Sequence, residues 1–363
     1  MKTILITGGC GFIGSHFVRR FLKKHQDFKV VNLDKLTYAG NPDNLKDISK
    51  IRKYKFVKGD IADKKTVEKV FKKFKPDFVV NFAAESHVDR SIHGHARDFV
   101  DTNIYGVFNL LEAALRQSSP RVGDAPLREQ AQGKLKKFVQ ISTDEVYGSL
   151  PLKGVRSHNK NGPDPLKFTE KTQYSPRSPY SASKAAGDLL CYSYFATYNL
   201  PVVVTHSSNN YGSYQYPEKL IPFFALRASK GAALPLYGDG KNIRDWIYVL
   251  DNVEAIEKVL FKGRPGETYN IGGDNEVANI DIARKILKIL KKPDSLIKYV
   301  SDRPGHDRRY ALDSSKVRKE LGWKPKHNFN KMIRETVKWY RDNPEWVRSA
   351  LKRLKKVNPH IEV

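Results

Sequence analysis

Between the apolar run ILIT and a segment of helical periodicity, residues 7–15 read TGGCGFIGS, with Gly8, Gly11 and Gly14 three apart. Glycines at such a junction permit a tight turn, close approach of the backbone to a pyrophosphate and close packing of the following helix, whose N-terminus favours negative charge. The spacing alone is weak, and a glycine turn without a ligand is the bland alternative. Position strengthens it: this is the first strand and the first helix, and Asp34 stands about twenty residues on at the end of the second strand, where a carboxylate can take ribose hydroxyls. Asp34 favours NAD over NADP because it repels a 2′-phosphate, although Lys35 beside it works against that inference.

The rest of the chain repeats the pattern. TILIT, KVVNLD, FVVNFAA, KFVQIST and PVVVTHSS are apolar runs of strand length, and SHFVRRFLKKH, KKTVEKVFKKF, residues 98–117 and YSASKAAGDLLCYSYFATYNL have helical spacing. Buried strands alternating with amphipathic helices predict an α/β fold, a Rossmann-type doubly wound parallel sheet with helices on both faces. A chain of 363 residues exceeds what one core usually serves, so a smaller α/β substrate-binding lobe is expected beside it. The expected division gives 1–205 and 238–275 to the dinucleotide-binding part and 206–237 and 276–363 to the second lobe. Within 98–117, Phe99, Asn103, Phe108, Leu111 and Leu115 fall near one helical face. Residues 118–134 read as a surface loop, and 150–178 as a longer loop of the kind that forms lids or binding surfaces.

The net charge of +26 attracts phosphate-bearing partners without choosing among nucleotides, nucleic acid and anionic membranes. Much of it is lysine on helical faces such as 64–75, which reads as solvated surface, and neither zinc spacing nor an RNA-binding signature accompanies it. Cys10 and Cys191 are the only cysteines and offer no disulfide framework, which suits a reducing compartment. The first apolar stretch is too short for a signal peptide and no segment reaches membrane-spanning length, so a soluble cytoplasmic protein is expected.

Two further stretches carry chemistry. In YSASK, Tyr180 and Lys184 stand at i and i+4 and project from one helical face. An ammonium near a phenol favours phenolate, which predicts a Tyr180 pKa lowered from about 10. In ISTDEVYG, Thr143 follows its strand and precedes two adjacent carboxylates, Asp144 and Glu145, which converge on one cavity if they lie on a turn. A loop pair facing water is the alternative.

With these go LDKLTYAGN, NFAAESHVDRSI, SPYSASKAAGD, SNNYGSYQYPEKLIP, GDGKNIRDWIYV, YNIGGDNEVANID and DRPGHDRRYALD, and together they span residues 7 to about 313. A chain with this set resembles the extended short-chain dehydrogenase/reductases, the NAD-dependent epimerase/dehydratase family, and within it those members that dehydrate sugar nucleotides. The Asp-Glu pair after the threonine is the specific element, since related epimerases share the loop and the Tyr-Lys pair but are not expected to carry it. The resemblance implies NAD-dependent 4,6-dehydration of a nucleoside-diphosphate hexose, with dTDP-glucose as the expected substrate, on the way to deoxysugars such as rhamnose. Tyr180 with Thr143 and Lys184 would serve C4, Glu145 would be the base at C5, and Asp144 the acid at the departing C6 hydroxyl. UDP-glucose dehydration and 4-epimerisation of a UDP-hexose are the rivals within the fold. A basic nucleic-acid-binding protein on a cofactor fold is the rival of another class.

The same resemblance implies further roles. Phe12, Ile13, Lys35, Leu36, Thr37, Asp60, Ile61, Ala83, Ala84, Glu85, Ser86, Thr102 and Asn210 join the glycines and Asp34 around NAD. His87, Asn209, Lys219, Leu220, Pro235, Tyr237, Arg244, Asn279, Asp302, Arg303, His306 and Arg308 are assigned to the nucleotide sugar, with Lys219, Arg244 and Arg308 suited to its phosphates. No metal is expected. Helices near 98–116 and 180–198 would form a four-helix interface of a homodimer. His206 departs from the family pattern, where arginine is more typical, as do Ser213 at a proline position and Cys10 at an alanine position.

Overall fold

The computed structural model describes residues 1–118, 135–152 and 167–357. Of the two expected loops, the first lies beyond Ser118 outside the described residues, and so does 153–166 of the second.

Seven strands form the main sheet: β1 Lys2–Thr7, β2 Phe28–Asp34, β3 Tyr54–Lys58, β4 Phe78–Asn81, β5 Lys137–Thr143, β6 Val202–Ser207 and β10 Thr268–Ile271, in the order β10-β6-β5-β4-β1-β2-β3. All neighbouring pairs are parallel. Side chains alternate across a strand, so a parallel sheet covered on both faces needs apolar residues at every position. In β1, Ile4 and Ile6 pack with Phe17, Phe21, Val253 and Ile256, which puts the helices Phe12–Lys24 and Val249–Lys262 on one face. Leu5 between them packs with Val67, Phe71, Leu110, Leu111 and Cys191, from the helices Lys64–Phe74, Gly106–Ser118 and Pro179–Tyr198, on the other. The strand order reverses between β1 and β4, and a crevice for ligands opens at such a switch point, beyond the carboxyl ends of the strands.

The second lobe contains five short strands: β7 Asn209–Tyr211, β8 Leu234–Tyr237, β9 Ile243–Tyr248, β11 Glu276–Ala278 and β12 Ile297–Val300. They form sheets β11-β9-β7 and β12-β8, packed against the helices Leu220–Ser229, Asn279–Leu290 and Phe329–Asp342. The expected division needs correction here. β9, placed with the dinucleotide part, is the middle strand of the small three-stranded sheet, because Trp246 fills the core of the second lobe while its neighbour Ile247 fills that of the first. Val317, Leu321 and Trp323, placed with the second lobe, pack into the core under the main sheet. The helix Pro344–Val357 also crosses back: Trp346 Nε1 donates to Asn44 Oδ1 at 2.7 Å and Arg353 Nη1 to the Gly40 carbonyl at 2.8 Å.

The helix expected over 98–117 is interrupted. Ala96–Val100 is α-helical, Asp101–Tyr105 is a π turn, and Gly106–Ser118 resumes the α-helix. The π turn adds one residue to the helical repeat; Phe99 and Asn103 are buried while Phe108 is 40% exposed, against the expectation of one continuous face. Among the described residues no helix is long and apolar enough to cross a membrane. Cys10 and Cys191 are buried and unpaired, and burial pushes the Cys10 thiol up to about 12.

Candidate active site

The cleft at the β1/β4 switch point begins with the glycine turn. Gly8 has φ +68°, and a Cβ there would lie 2.5 Å from the Ala83 backbone nitrogen. A Cβ on Gly14 would lie 2.4 Å from the Gly8 carbonyl oxygen, which explains why the helix can start so close beneath the turn. At Gly11 the only neighbour is that same carbonyl, at 3.2 Å, so the backbone is open towards the cleft. Phe12 and Ile13 complete this end of the lining.

Asp34 ends β2 with its carboxylate accepting from the Cys10 and Leu36 backbone N–H groups, both at 2.8 Å. Leu36 itself takes a left-handed φ of +58° and serves through its backbone rather than by lining the cleft. Burial raises the Asp34 pKa, with both backbone bonds opposing. Lys35, which argued against NAD specificity in the sequence, is paired with Asp60 at 2.6 Å. Thr37, Asp60 and Ile61 line the same end, and Ala83, Ala84, Glu85, Ser86 and Thr102 line the middle.

At the far end β5 delivers Thr143, and the tight turn Asp144–Tyr147 follows it at once, with the Thr143 side chain accepting from the Glu145 N–H. The helix Pro179–Tyr198 is started by Ser178 through a reciprocal bond with Ser181, and delivers Tyr180 and Lys184. Thr143, Asp144, Glu145, Tyr180 and Lys184 therefore line one cavity together with Asn209, Asn210 and Lys219. The two acids differ in surroundings. Burial, Glu145 and Asp245 all push the Asp144 pKa well up, and its Oδ2 has no partner among the described residues. Burial raises Glu145 too, but Arg303, Arg244 and Lys219 oppose it. Asp144 is therefore the more strongly held in its neutral form, and Glu145 the one whose charged form its neighbours favour.

Tyr180 reverses the expectation. Burial and the neighbouring Glu145 push its phenol up rather than down, and only the Thr143 hydrogen bond favours the phenolate. The Lys184 ammonium, expected to lower it, instead donates to the Ile141 carbonyl at 2.6 Å, and burial lowers its own pKa.

The remaining residues assigned to the nucleotide sugar do not line this cavity. His87 is buried, with Nδ1 unpartnered among the described residues, and burial and three cations hold its imidazole neutral. Pro235 and Tyr237 lie on β8, and Leu220 starts the helix after Lys219. Tyr237 and Arg303 both reach Asp89, at 3.4 Å each. His306 Nδ1 lies 2.5 Å from Asp302. Arg244 is held by the carbonyls of Ile243 and Asp307 and sits over the Tyr310 ring at 4.2 Å. Asn279 is buried with Oδ1 unpartnered among the described residues. Arg308, expected to meet phosphate, turns its fork to Asp239, with both bonds at 3.0 Å.

The cleft also uses residues that the sequence reading passed over: Ser208, Gln215 and above all Glu218. The Glu218 side chain is 1% exposed, accepts from the Tyr38 hydroxyl at 3.2 Å and is pushed by burial up to about 7. Its place beside Lys219 in YPEKLIP was the available signal.

An NAD molecule fits this arrangement on three grounds. Gly8 and Gly14 leave no room for a Cβ while Gly11 keeps the backbone open to the cleft, Asp34 sits at the strand end where a ribose would meet it, and Ser208 Oγ and Asn209 Oδ1 are buried without partners among the described residues.

Known proteins agree with the geometry. The family model described as GDP-mannose 4,6 dehydratase matches residues 5–336. The dTDP-glucose 4,6-dehydratase of Escherichia coli is 50% identical over 354 residues, covering 94% of each chain. Among solved structures, the dTDP-glucose 4,6-dehydratase of Bacillus anthracis in complex with NAD superposes with a TM-score of 0.82 at 44% identity, over 96% of this chain and 100% of that one. DesIV of Streptomyces venezuelae, also a dTDP-glucose 4,6-dehydratase with NAD bound, gives 0.83 at 42% identity, over 95% and 98%. With the acid pair, the phenol and the glycine turn gathered at one cleft, the chain belongs to the sugar-nucleotide 4,6-dehydratases of the extended short-chain dehydrogenase/reductase family, on the dTDP-glucose 4,6-dehydratase branch.

Proposed function

We infer that the protein is an NAD-dependent hydro-lyase that converts dTDP-glucose to dTDP-4-dehydro-6-deoxy-glucose and water. The observation that carries this reading is the pair Asp144 and Glu145, whose environments differ in sign of charge at the same end of the cleft as Tyr180. Both carboxyl groups are raised by burial, Asp144 well up with two anions adding to it and Glu145 with three cations opposing, and a difference of that kind is what an elimination needs between its acid and its base.

The glycine turn, Asp34, Asn210 and Lys184 would hold NAD, which would supply reversible acceptance of a hydride without being consumed. Tyr180, with Thr143 at its hydroxyl, takes the C4 hydroxyl proton. The ketone so formed acidifies the C5 hydrogen, which Glu145 removes. Asp144 gives its proton to the departing C6 hydroxyl, which leaves as water, and Glu145 then returns its proton to C5 as the hydride taken from C4 is restored at C6. The cations around Glu145 that favour its ionised form, Arg303, Arg244 and Lys219, also suit the diphosphate of the substrate.

Exposed apolar side chains on two helices support a homodimer: Tyr105 and Phe108 beside Leu189, 54%, 40% and 58% exposed. The buried free thiols suit a cytoplasmic enzyme, and the product suits a deoxysugar route such as that to rhamnose. Incubation with dTDP-glucose and, separately, UDP-glucose tests the assignment by the alkali-induced absorbance of a 4-keto sugar. The dTDP sugar is expected to react faster. An intact C6 hydroxyl in the product would instead indicate epimerisation, and absence of turnover with NAD bound would refute the reading.

A further inference from the structure

Behind the acid pair lies a buried polar cluster that no step above uses. His206 on β6 and Asp188 on the Pro179–Tyr198 helix are both 0% exposed. His206 Nε2 lies 3.1 Å from Asp188 Oδ2 and 3.2 Å from the Tyr174 hydroxyl, and Nδ1 lies 2.8 Å from the Tyr147 hydroxyl. Ser142 Oγ donates to the same Asp188 oxygen at 2.5 Å.

Hydrogen-bond accounting fixes the proton count. The Asn270 side-chain amide donates through Nδ2 to the Phe168 carbonyl at 3.2 Å, so Oδ1 must be the atom facing the Tyr147 hydroxyl, at 3.0 Å. A carbonyl oxygen only accepts, so the single hydrogen of Tyr147 goes to Asn270. Its oxygen can then only accept from His206, and Nδ1 carries a hydrogen. Nε2 faces the Asp188 carboxylate, an acceptor when ionised, and the Tyr174 hydroxyl, whose own hydrogen serves the Tyr192 oxygen, so a second proton lies between Nε2 and Asp188. Moving that proton onto Asp188 leaves the charge of the pair at zero.

The contacts of His206 and Asp188 together reach every element that bears a catalytic group. Ser142 immediately precedes Thr143, Tyr147 closes the turn that carries Asp144 and Glu145, and Asp188 follows Lys184 by one helical turn. We propose that His206 is a positioning residue: it holds the second proton that cancels the Asp188 charge, and so keeps Asp188 from drawing Lys184 and Tyr180 away from the balance that proton transfer at C4 requires. The other titratable groups facing the cluster are Tyr180, Lys184, Cys191 and Tyr192 from the helix, Tyr147 from the turn, and Tyr174 and Glu170 from the preceding segment. The Asp188 charge acts on both reacting groups, raising the Tyr180 phenol and favouring the charged form of Lys184.

The inference rests on the dehydratase reading, and its test separates the two. Asp188 lies eight residues from Tyr180, about 12 Å along the helix axis at about 1.5 Å per residue. A unit charge at that distance, with an effective dielectric constant of about 20, moves a pKa by about one unit. His206→Gln, which uncovers the Asp188 charge, is expected to move the acidic limb of the kcat profile for 4-keto sugar formation up by about one pH unit. Adding Asp188→Asn removes both charges and is expected to return the limb to its wild-type position, although the packing is disturbed twice. A merely structural role would leave the limb in place or make the double variant worse, and either outcome overturns the proposal. A neutron map of the wild-type crystal needs neither variant nor turnover. Deuterium on Nδ1 and between Nε2 and Asp188 is expected, and a bare Nδ1 would sink the inference while leaving the dehydratase reading intact. Wild-type enzyme without 4-keto product would sink that reading instead.

Discussion

Replacing Glu218 by Gln should make the protein more stable above neutrality and leave it almost unchanged in acid. The side chain is 1% exposed, and its Oε2 has no partner among the described residues. Burial raises its pKa from 4.5 to about 7 against the opposing pull of Lys219, Tyr38 and Arg90. A carboxyl whose folded pKa exceeds its unfolded one binds more protons when folded, so its stabilising contribution is complete below about pH 4.5 and is lost as pH rises through about 7. A shift of about 2.5 units corresponds to about 3 kcal/mol. With an unfolding entropy of about 2.1 cal/mol/K per residue, that is about 4 °C in Tm for a chain of this length. The assay is urea or thermal unfolding of both proteins, stripped of cofactor, at pH 4.5 and pH 8. Other titrating groups cancel in the difference between variants, which should widen by about 3 kcal/mol between the two pH values. An equal difference at both would show that Glu218 is ionised in the fold at the cost of nothing, and would refute the burial argument.

Three further outcomes are expected. Asp144→Asn should lower turnover by about 10²–10⁴-fold, the range for a lost general acid, with little loss of folding stability, because burial and the neighbouring anions favour the neutral form of the native carboxyl; urea unfolding beside product assay checks both. Gly14→Ala, which would put a methyl 2.4 Å from the Gly8 carbonyl oxygen, should release NAD during purification while the far-UV spectrum is retained, as absorbance of the isolated protein would show. Trp346→Ala should cost about 3–5 kcal/mol in denaturant unfolding, since the indole is 9% exposed and its N–H bonds Asn44; a cost under about 1 kcal/mol would mean that the C-terminal helix is not docked as described.

The main sheet was legible because each of its central strands is a run of apolar residues with both faces buried, a pattern that no other element in the chain imitates. The glycine turn, Asp34 and the Tyr-Lys pair were legible for a similar reason, since their geometry is local: a turn, a strand end, one face of a helix. What could not be read depends on distant pairings. β9 serves two cores with alternate residues, so the sequence could not say to which lobe it belongs. Lys219 donates to the Ser86 carbonyl at 2.7 Å across 133 positions, which brings its neighbour Glu218 into the cleft. Arg308 is a phosphate candidate by composition, but Asp239 occupies its fork. The direction of the Tyr180 shift was misjudged because adjacency of Lys184 along the helix says nothing of the depth of burial, and depth is the larger influence here.

The π turn at Asp101–Tyr105 sets a rule about chain length. Its supernumerary position lets Asn103 bond the Glu85 backbone and Ser183 Oγ while Phe108, only five residues later, looks outward. Because the π turn already holds one residue beyond the α repeat, removing one there can be taken up by closing it to regular α-helix with the downstream face unchanged, whereas a deletion in the α-helical parts on either side rotates everything beyond it by about 100°. A library of one-residue deletions scanned from 96 to 118 should therefore show its mildest loss of function within those five positions, Asn103 excepted, since its bonds to Glu85 and Ser183 would go with it.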